Sequence, residues 1–144
     1  MPLHEEIIEQ LVATAREARE SAYAPYSGFR VGAALLSDDG EIFTGCNVEN
    51  SSYGLTCCAE RTAVYTAVTA GVQSFLAIAV AADGVSVPPC GACRQVLSEF
   101  APALPVILAG SGNEHRMLTL TNLLPEPFNS DFLHSPATDP HPND

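Results

Sequence analysis

Two short segments of the chain carry cysteines at a spacing that suits metal binding. Residues 57–60 read Cys-Cys-Ala-Glu, and residues 89–93 read Pro-Cys-Gly-Ala-Cys. Each segment is predicted to lie where a loop becomes a helix, so Cys90 and Cys93 share one face of a first helical turn. The dipole and unpaired N–H groups of a helix start favour a thiolate. If the two helix starts face each other, three sulfurs converge.

The predicted sulfur ligands are Cys58, Cys90 and Cys93, and three thiolates at tetrahedral spacing suit one Zn²⁺ ion per chain. Three protein ligands, rather than four, leave one position open for water, as in catalytic zinc sites. Glu60 follows Cys58 by two residues, too close to be a comfortable extra ligand. We therefore predict that Glu60 acts as the general acid and base that exchanges protons with this water.

Three thiolates would give the zinc site a net negative charge and weaken the pull of the metal on its water. Arg61 and Arg94 each directly follow one of the two cysteine segments. We expect both guanidinium groups to donate hydrogen bonds to the sulfurs and so to offset this charge.

Two other interpretations of the cysteines remain open at this point. A Cys-x-x-Cys pair at a strand-to-helix turn also serves thiol–disulfide exchange, as in thioredoxin-like proteins. Alternatively, Cys57 could supply a fourth ligand to a structural zinc site, although adjacent residues seldom chelate one metal. Cys46, on a predicted strand, is expected to be a small buried hydrophobic residue. An odd count of five cysteines disfavours a disulfide scaffold.

Composition excludes several classes of protein. The chain has 144 residues, 47% of them hydrophobic, which is enough for one domain with a sizeable core. Its 6 Lys+Arg are all arginine and oppose 17 Asp+Glu, giving a net charge of -11. Such a chain repels nucleic acid and anionic membranes and suits a small neutral substrate. The acidic start of the chain does not resemble a signal peptide, so a cytoplasmic protein is expected.

Hydrophobic periodicity and turn signals predict helices and strands in a mixed order. We predict helices over residues 3–22, 59–70 and 91–101, strands over 29–37, 41–48, 75–82, 106–109 and 117–121, and a short helix that begins at 123–124. Residues 38–40 are predicted to form a hairpin turn, and residues 49–56 a loop. The expected fold is a three-layer α/β/α sandwich around a mixed five-stranded sheet. Residues 1–134 are expected to form its single domain, and residues 135–144 are expected to be disordered.

The two cysteine segments and three others together resemble the small, homotetrameric, zinc-dependent cytidine deaminases that act on free nucleosides. The other segments are Tyr-Ser-Gly-Phe-Arg-Val-Gly-Ala-Ala at 26–34, Gly-Cys-Asn-Val-Glu-Asn at 45–50 and Leu-Leu-Pro at 123–125. The resemblance covers about residues 23–132, and it implies the cytidine deaminase fold with zinc on the three predicted sulfur ligands. This class uses a glutamate as its acid and base.

The resemblance also implies roles for residues that bind substrate. Glu60 would bind the pyrimidine edge beside the Ala59 backbone, Asn47 and Glu49 the ribose hydroxyl, and Phe29 the face of the base, while Tyr53 and Phe128 would enter a neighbouring subunit's pocket. Without the resemblance, an asparagine here could be a turn residue and a glutamate a solvated loop carboxylate.

The implied activity is hydrolytic deamination of cytidine and 2′-deoxycytidine to uridine or 2′-deoxyuridine and ammonia, within pyrimidine salvage. A sister family that deaminates modified nucleosides such as blasticidin S shares the zinc motifs but lacks the Asn-x-Glu-Asn segment, which is present here at 47–50. Deaminases of polynucleotides usually have histidine as the first zinc ligand and a basic surface, unlike this chain.

Overall fold

A mixed sheet of five strands forms the middle layer of the computed structural model, which describes residues 3–134. The strands are β1 (Val31–Ser37), β2 (Ile42–Cys46), β3 (Phe75–Ala82), β4 (Pro105–Ala109) and β5 (His115–Thr119). Their order across the sheet is β2-β1-β3-β4-β5. Only the β3–β4 pair is parallel, and the other three pairs are antiparallel. The predicted mixed five-stranded sheet is therefore confirmed.

Helices cover both faces of this sheet. The helices are α1 (Glu5–Arg19), α2 (Ala59–Thr69), α3 (Gly91–Phe100), α4 (Leu120–Leu123) and α5 (Asp131–His134). Alternate residues of a strand point to opposite faces. Accordingly, Ala34 and Leu36 of β1 lie in one core with α1, while Ala33 and Leu35 lie in the other with α2 and α3. This arrangement confirms the predicted α/β/α sandwich.

Two glycines allow helices to approach the sheet backbone closely. A Cβ atom at Gly45 of β2 would lie 2.3 Å from the Ala63 nitrogen and 2.5 Å from the Ala59 oxygen, both on α2. A Cβ at Gly32 of β1 would lie 2.1 Å from the Ala15 oxygen on α1. The position of the α2 N-terminus, where the first cysteine segment lies, therefore depends on a glycine in the neighbouring strand.

Strand β1 begins at Val31, two residues later than predicted, because side chains bind the backbone before it. The Phe29 N–H donates to the Ser27 hydroxyl at 3.0 Å, and the Arg30 N–H donates to the Asp83 carboxylate at 3.0 Å. The Phe29 carbonyl accepts from the Asn47 side chain at 2.8 Å. These groups are consequently not available for strand pairing.

Near the end of the described chain, the bounds of the strand and the short helix differ from the prediction. The predicted strand over 117–121 ends at Thr119, because the Thr119 hydroxyl caps α4 by accepting from the Asn122 N–H at 3.4 Å. The prediction of a helix that begins at 123–124 was wrong, since α4 ends at Leu123. A 3-10 turn at Tyr53–Leu55 lies within the predicted loop.

The predicted disordered segment, residues 135–144, lies outside the described residues. None of the described helices is long and apolar enough to cross a membrane.

Candidate metal centre and active-site cavity

Three cysteine sulfurs from two helix starts converge on one point. Cys58 is the residue immediately before α2, Cys90 is the residue before α3, and Cys93 lies in the first turn of α3. The Cys58 and Cys90 sulfurs lie 3.7 Å apart, and those of Cys90 and Cys93 3.5 Å apart. All three sulfurs lie within 4.8 Å of one another. The spacing predicted from the sequence is thus realised by helices that are 32 residues apart in the chain.

The electrostatic surroundings of this cluster favour a thiolate at Cys58. Hydrogen bonding from Cys93, and then from Arg61 and Cys90, lowers the pKa of the Cys58 thiol to about 5. The same interaction with Cys58 raises the pKa of Cys93. An Arg61 guanidinium nitrogen donates to the Cys58 sulfur at 3.5 Å, as predicted. Three soft sulfur donors beside a fixed cation fit a zinc ion.

The structure corrects the predicted role of Arg94. Its Nε donates to the Pro89 carbonyl at 2.8 Å, and its Nη1 donates to the Leu123 carbonyl at 2.9 Å. The guanidinium therefore ties the loop before α3 to α4 instead of donating to a sulfur. Adjacency to Cys93 in sequence could not reveal this, because the partner carbonyl of Leu123 comes from a distant part of the chain.

Cys57 stands apart from the sulfur cluster. Its sulfur contacts the Cys58 carbonyl at 3.7 Å, and burial raises the pKa of its thiol. Over residues 3–134, the group that could hold a metal ion comprises Cys58, Cys90 and Cys93 without Cys57. Within these residues, Cys57 therefore does not complete a structural zinc site of four cysteines. Cys46 is half-buried on β2, and burial raises the pKa of its thiol as well.

Glu60 occupies the first turn of α2 and is only 4% exposed. Burial raises the pKa of its carboxyl, and the charge of Cys58 adds to this effect. A buried carboxyl beside the sulfur cluster can exchange protons with a molecule bound there. We refer to Cys58, Glu60, Cys90 and Cys93 as the metal end of the site.

The metal end opens into a cavity of about 230 Å³. Seven residues predicted to act in the site line this cavity: Phe29, Asn47, Glu49, Cys58, Ala59, Glu60 and Cys90. The lining also includes six residues that the sequence analysis did not select: Ser27, Val31, Thr56, Val80, Val87 and Pro88. Ser27 lies within the 26–34 segment and could have been found there. The path of the loop at 87–88 had no sequence signal. The cavity is small and suits a compact ligand.

The same cavity is also lined by Ser27, Phe29, Asn47 and Glu49, which we refer to as the loop end. Asn47 is 8% exposed, and its side-chain amide accepts from the Val31 N–H and donates to the Phe29 carbonyl, both at 2.8 Å. The loop end is thus held by hydrogen bonds between side chains and backbone.

Glu49 holds the turn that precedes β1. Its Oε1 accepts from the N–H groups of Tyr26 at 2.9 Å and Ser27 at 3.1 Å, and its Oε2 accepts from the Ser27 hydroxyl. These hydrogen bonds, that of the Ser27 hydroxyl above all, lower the pKa of Glu49. A carboxylate has about four acceptor sites. Three are occupied, so Glu49 retains capacity for one further donor.

Tyr53 and Phe128 do not line this cavity. Tyr53 is 75% exposed at an adjoining hollow, where its ring lies 5.8 Å from that of Tyr26 in an edge-to-face arrangement. Phe128 is 57% exposed, stacks on Phe132 and lines a different groove. Their predicted role in a neighbouring subunit's pocket stays a prediction.

The chain matches one protein family and is similar to several known proteins. Residues 5–109 match the family described as the cytidine and deoxycytidylate deaminase zinc-binding region. A cytidine deaminase from Sporosarcina psychrophila is 52% identical over 128 residues, covering 88% of this chain and 94% of that protein. A cytidine deaminase from Halalkalibacterium halodurans is 50% identical, with 88% and 97% covered.

Solved structures give the same result. The crystal structure of a cytidine deaminase from Burkholderia pseudomallei has 48% sequence identity and a TM-score of 0.81, and the match covers 88% of this chain and all of that one. That of a cytidine deaminase from Mycobacterium tuberculosis has 41% identity and a TM-score of 0.72, with 84% and 96% covered. The family match contains the metal end and the loop end together.

Proposed function

Because the chain belongs to the cytidine deaminase family, we propose that it converts cytidine and 2′-deoxycytidine, with one water, into uridine or 2′-deoxyuridine and ammonia. One observation carries this proposal. The buried Glu60 lines one small cavity together with Cys58 and Cys90 of the three-sulfur cluster, and Asn47 and Glu49 line the same cavity. A nucleoside bound in this cavity could thus place its base beside the metal site and its sugar beside the polar side chains.

Zinc is the cofactor, and we propose Cys58, Cys90 and Cys93 as its ligands. When bound, zinc acts as a Lewis acid that lowers the pKa of a water ligand and makes a nucleophile available near neutral pH. Arg61 donates to the Cys58 sulfur and so offsets part of the thiolate charge. Three protein ligands leave room for that water.

Glu60 carries the proton in this proposal. Its burial removes competing solvent, and its place in the first turn of α2 keeps it two residues from a zinc ligand. The oxygen of the attacking water forms a bond to C4 of the base, and the carboxylate passes the two protons of that water in turn to N3 of the ring and to the amino group at C4. The C–N bond then breaks, ammonia leaves, and a carbonyl remains at C4.

The loop end would recognise the rest of the nucleoside. Phe29 lines the cavity and would pack against the base, while the Ala59 backbone and Glu60 would contact the pyrimidine edge. Glu49 has one acceptor site left and would accept a hydroxyl of the sugar, beside Asn47. The net charge of -11 disfavours a polynucleotide as the substrate.

The proposal extends to a homotetramer in the cytoplasm that serves pyrimidine salvage. The exposed aromatic rings of Tyr53 and Phe128 support the assembly, because large apolar side chains at a protein surface favour contact with another chain. Each ring would complete the cavity of a neighbouring subunit. Activity that falls on dilution, in parallel with the mass measured by light scattering, would support this extension.

The function is tested by incubating the purified protein with cytidine and measuring uridine and ammonia. Glu60→Gln should retain zinc and lose about 10²- to 10⁴-fold in kcat, because the proton carrier is removed while the sulfur ligands remain. Glu9→Gln, on the exposed side of α1, is the matched control and should behave as wild type. A zinc-loaded wild type that leaves cytidine unchanged would overturn the proposed substrate and point to a modified cytosine nucleoside.

A further inference from the structure

Ser27 connects two residues of the loop end through a single hydroxyl group. The Ser27 hydroxyl donates to Oε2 of Glu49 and accepts from the Phe29 N–H at 3.0 Å. An N–H group can only donate, so the Phe29 contact uses an acceptor site of the hydroxyl. The single hydroxyl hydrogen is therefore available for Glu49. The direction of both hydrogen bonds follows from the chemistry of the three groups.

Within the described part of the chain, no other group duplicates the hydrogen bond from the Ser27 hydroxyl to Oε2 of Glu49. Oε1 of Glu49 accepts from two backbone N–H groups, those of Tyr26 and Ser27. Among the hydrogen bonds of residues 3–134, Oε2 has the Ser27 hydroxyl as its donor. A carboxylate fixed at one oxygen alone can pivot about that oxygen. The Ser27 hydroxyl therefore determines where Oε2 lies.

We propose that Ser27 is a positioning residue for binding of the nucleoside's sugar. Its hydroxyl holds the Glu49 carboxylate at a fixed position relative to Phe29 on the cavity wall. This inference rests on the proposed function, in which Glu49 accepts a sugar hydroxyl and Phe29 packs against the base. Ser27 lines the same cavity as both residues. Through one hydroxyl, the distance between the sugar contact and the base contact is set before substrate enters, which reduces the ordering cost of binding.

A purely local role in the turn is the competing explanation, because serine hydroxyls often accept from the N–H two residues later. The turn has other support, however. The Gly28 N–H donates to the Ala24 carbonyl at 2.9 Å, and the Phe29 carbonyl is held by Asn47 at 2.8 Å. Gly28 also supplies the positive φ of 70° that the turn requires. The turn therefore has three supports that do not involve the Ser27 hydroxyl.

The test compares Ser27→Ala with Ser27→Thr, which keeps the hydroxyl. Ser27→Ala should raise KM for cytidine about tenfold and leave kcat within about twofold, because a charge-assisted hydrogen bond acts on binding while Glu60 and the zinc ligands are unchanged. Ser27→Thr should restore KM to within about threefold of wild type. Binding of 2′,3′-dideoxycytidine, measured as competitive inhibition of cytidine turnover, should change less than twofold, because it lacks both ring hydroxyls.

A double-mutant cycle separates positioning from folding. In the Glu49→Gln background, Ser27→Ala should change KM for cytidine by less than about twofold, since the group it positions is already altered. Equal losses on cytidine and the dideoxynucleoside, or additive effects with Glu49→Gln, would overturn the proposal and leave Ser27 as a turn residue. Failure of the proposed function is seen separately, because wild type would then not deaminate cytidine at all.

Discussion

The metal end and the loop end of the cavity are held in place by different forces. At the metal end, Cys58 and Cys90 sit at the starts of α2 and α3, whose apolar residues lie in one core with the sheet. At the loop end, Ser27, Asn47 and Glu49 are held by hydrogen bonds to the backbone of residues 26–31.

This difference has consequences for how each end responds to change. Core packing is dense and cooperative, so a helix start moves only when the helix moves. Hydrogen bonds at a half-exposed loop contribute individually about 0.5–1.5 kcal/mol and can be lost one at a time. We expect damage at the metal end to be nearly all-or-none and damage at the loop end to be graded. Three experiments test this contrast.

The largest effect is expected from loss of one sulfur ligand. Cys58→Ser should remove stoichiometric zinc and reduce turnover at least about 10³-fold, because two thiolates hold the ion weakly and the open position is no longer defined. The adjacent Cys57→Ser is the matched control, since Cys57 lies outside the sulfur cluster. It should retain zinc and activity, measured by metal analysis and the cytidine assay. Zinc loss in Cys57→Ser instead would show that the cluster is larger than three sulfurs.

A smaller effect is expected where α2 contacts β2. Gly45→Ala places a Cβ 2.3 Å from the Ala63 nitrogen, which is backbone and cannot yield without moving α2. We expect a loss of about 3 kcal/mol in the free energy of unfolding and a fall in Tm of roughly 10 °C. Zinc affinity, measured by chelator competition, should fall as well, because Cys58 moves with the helix.

Gly54→Ala is the control for this substitution, because a Cβ added at Gly54 would have no atom within 4 Å and the φ of Gly54 is not positive. It should leave Tm and zinc affinity close to those of wild type. If Gly45→Ala lowered Tm without changing zinc affinity, the metal end would be less dependent on α2 packing than the contrast between the two ends requires.

The smallest effect concerns the backbone just before β1. The Asp83 carboxylate accepts from the Arg30 N–H and side chain, and the Arg30 hydrogen bond holds the pKa of Asp83 below its usual 3.8. A lowered carboxyl pKa stabilises the fold above pH 3.8, and this stabilisation is lost as the pH falls through the lowered value. Asp83→Asn should therefore be slightly less stable than wild type at pH 7.

The measurement is urea unfolding of wild type and Asp83→Asn between pH 7 and pH 3. The difference between them should stay constant down to about pH 4 and then shrink. Because zinc loss in acid affects both proteins, the difference isolates Asp83. A difference that grew toward low pH would contradict the assignment of the Arg30 hydrogen bond as its cause.

The metal end could be predicted from sequence because its information is local. Cysteine at a helix start, a second cysteine three residues on, and a glutamate in the first turn are all visible within segments of four or five residues. Hydrophobic periodicity placed the helices, and the two segments had only to face each other. The Cys58–Cys90 approach of 3.7 Å agrees with that expectation.

Other features could not be predicted because their partners are distant in the chain. Arg94 was expected to donate to a sulfur but bonds the carbonyl of Leu123, 29 residues away. Strand β1 starts late because Asn47 and Asp83, which directly follow β2 and β3, bond the Phe29 carbonyl and the Arg30 N–H. Local propensity contains no information about such partners.

The kind of chemistry follows from the residues alone, because their side chains carry the sulfur, carboxylate and guanidinium groups and backbone geometry sets the spacing of these groups within one helical turn. Which of these groups come into contact depends on how the helices pack in the folded chain. Helix packing on the sheet places the Arg61 guanidinium beside a sulfur, while the Arg94 guanidinium donates to backbone carbonyls. Folding also joined Ser27 to Glu49 across 22 residues, because hydrogen bonds depend on distance in space and not along the chain.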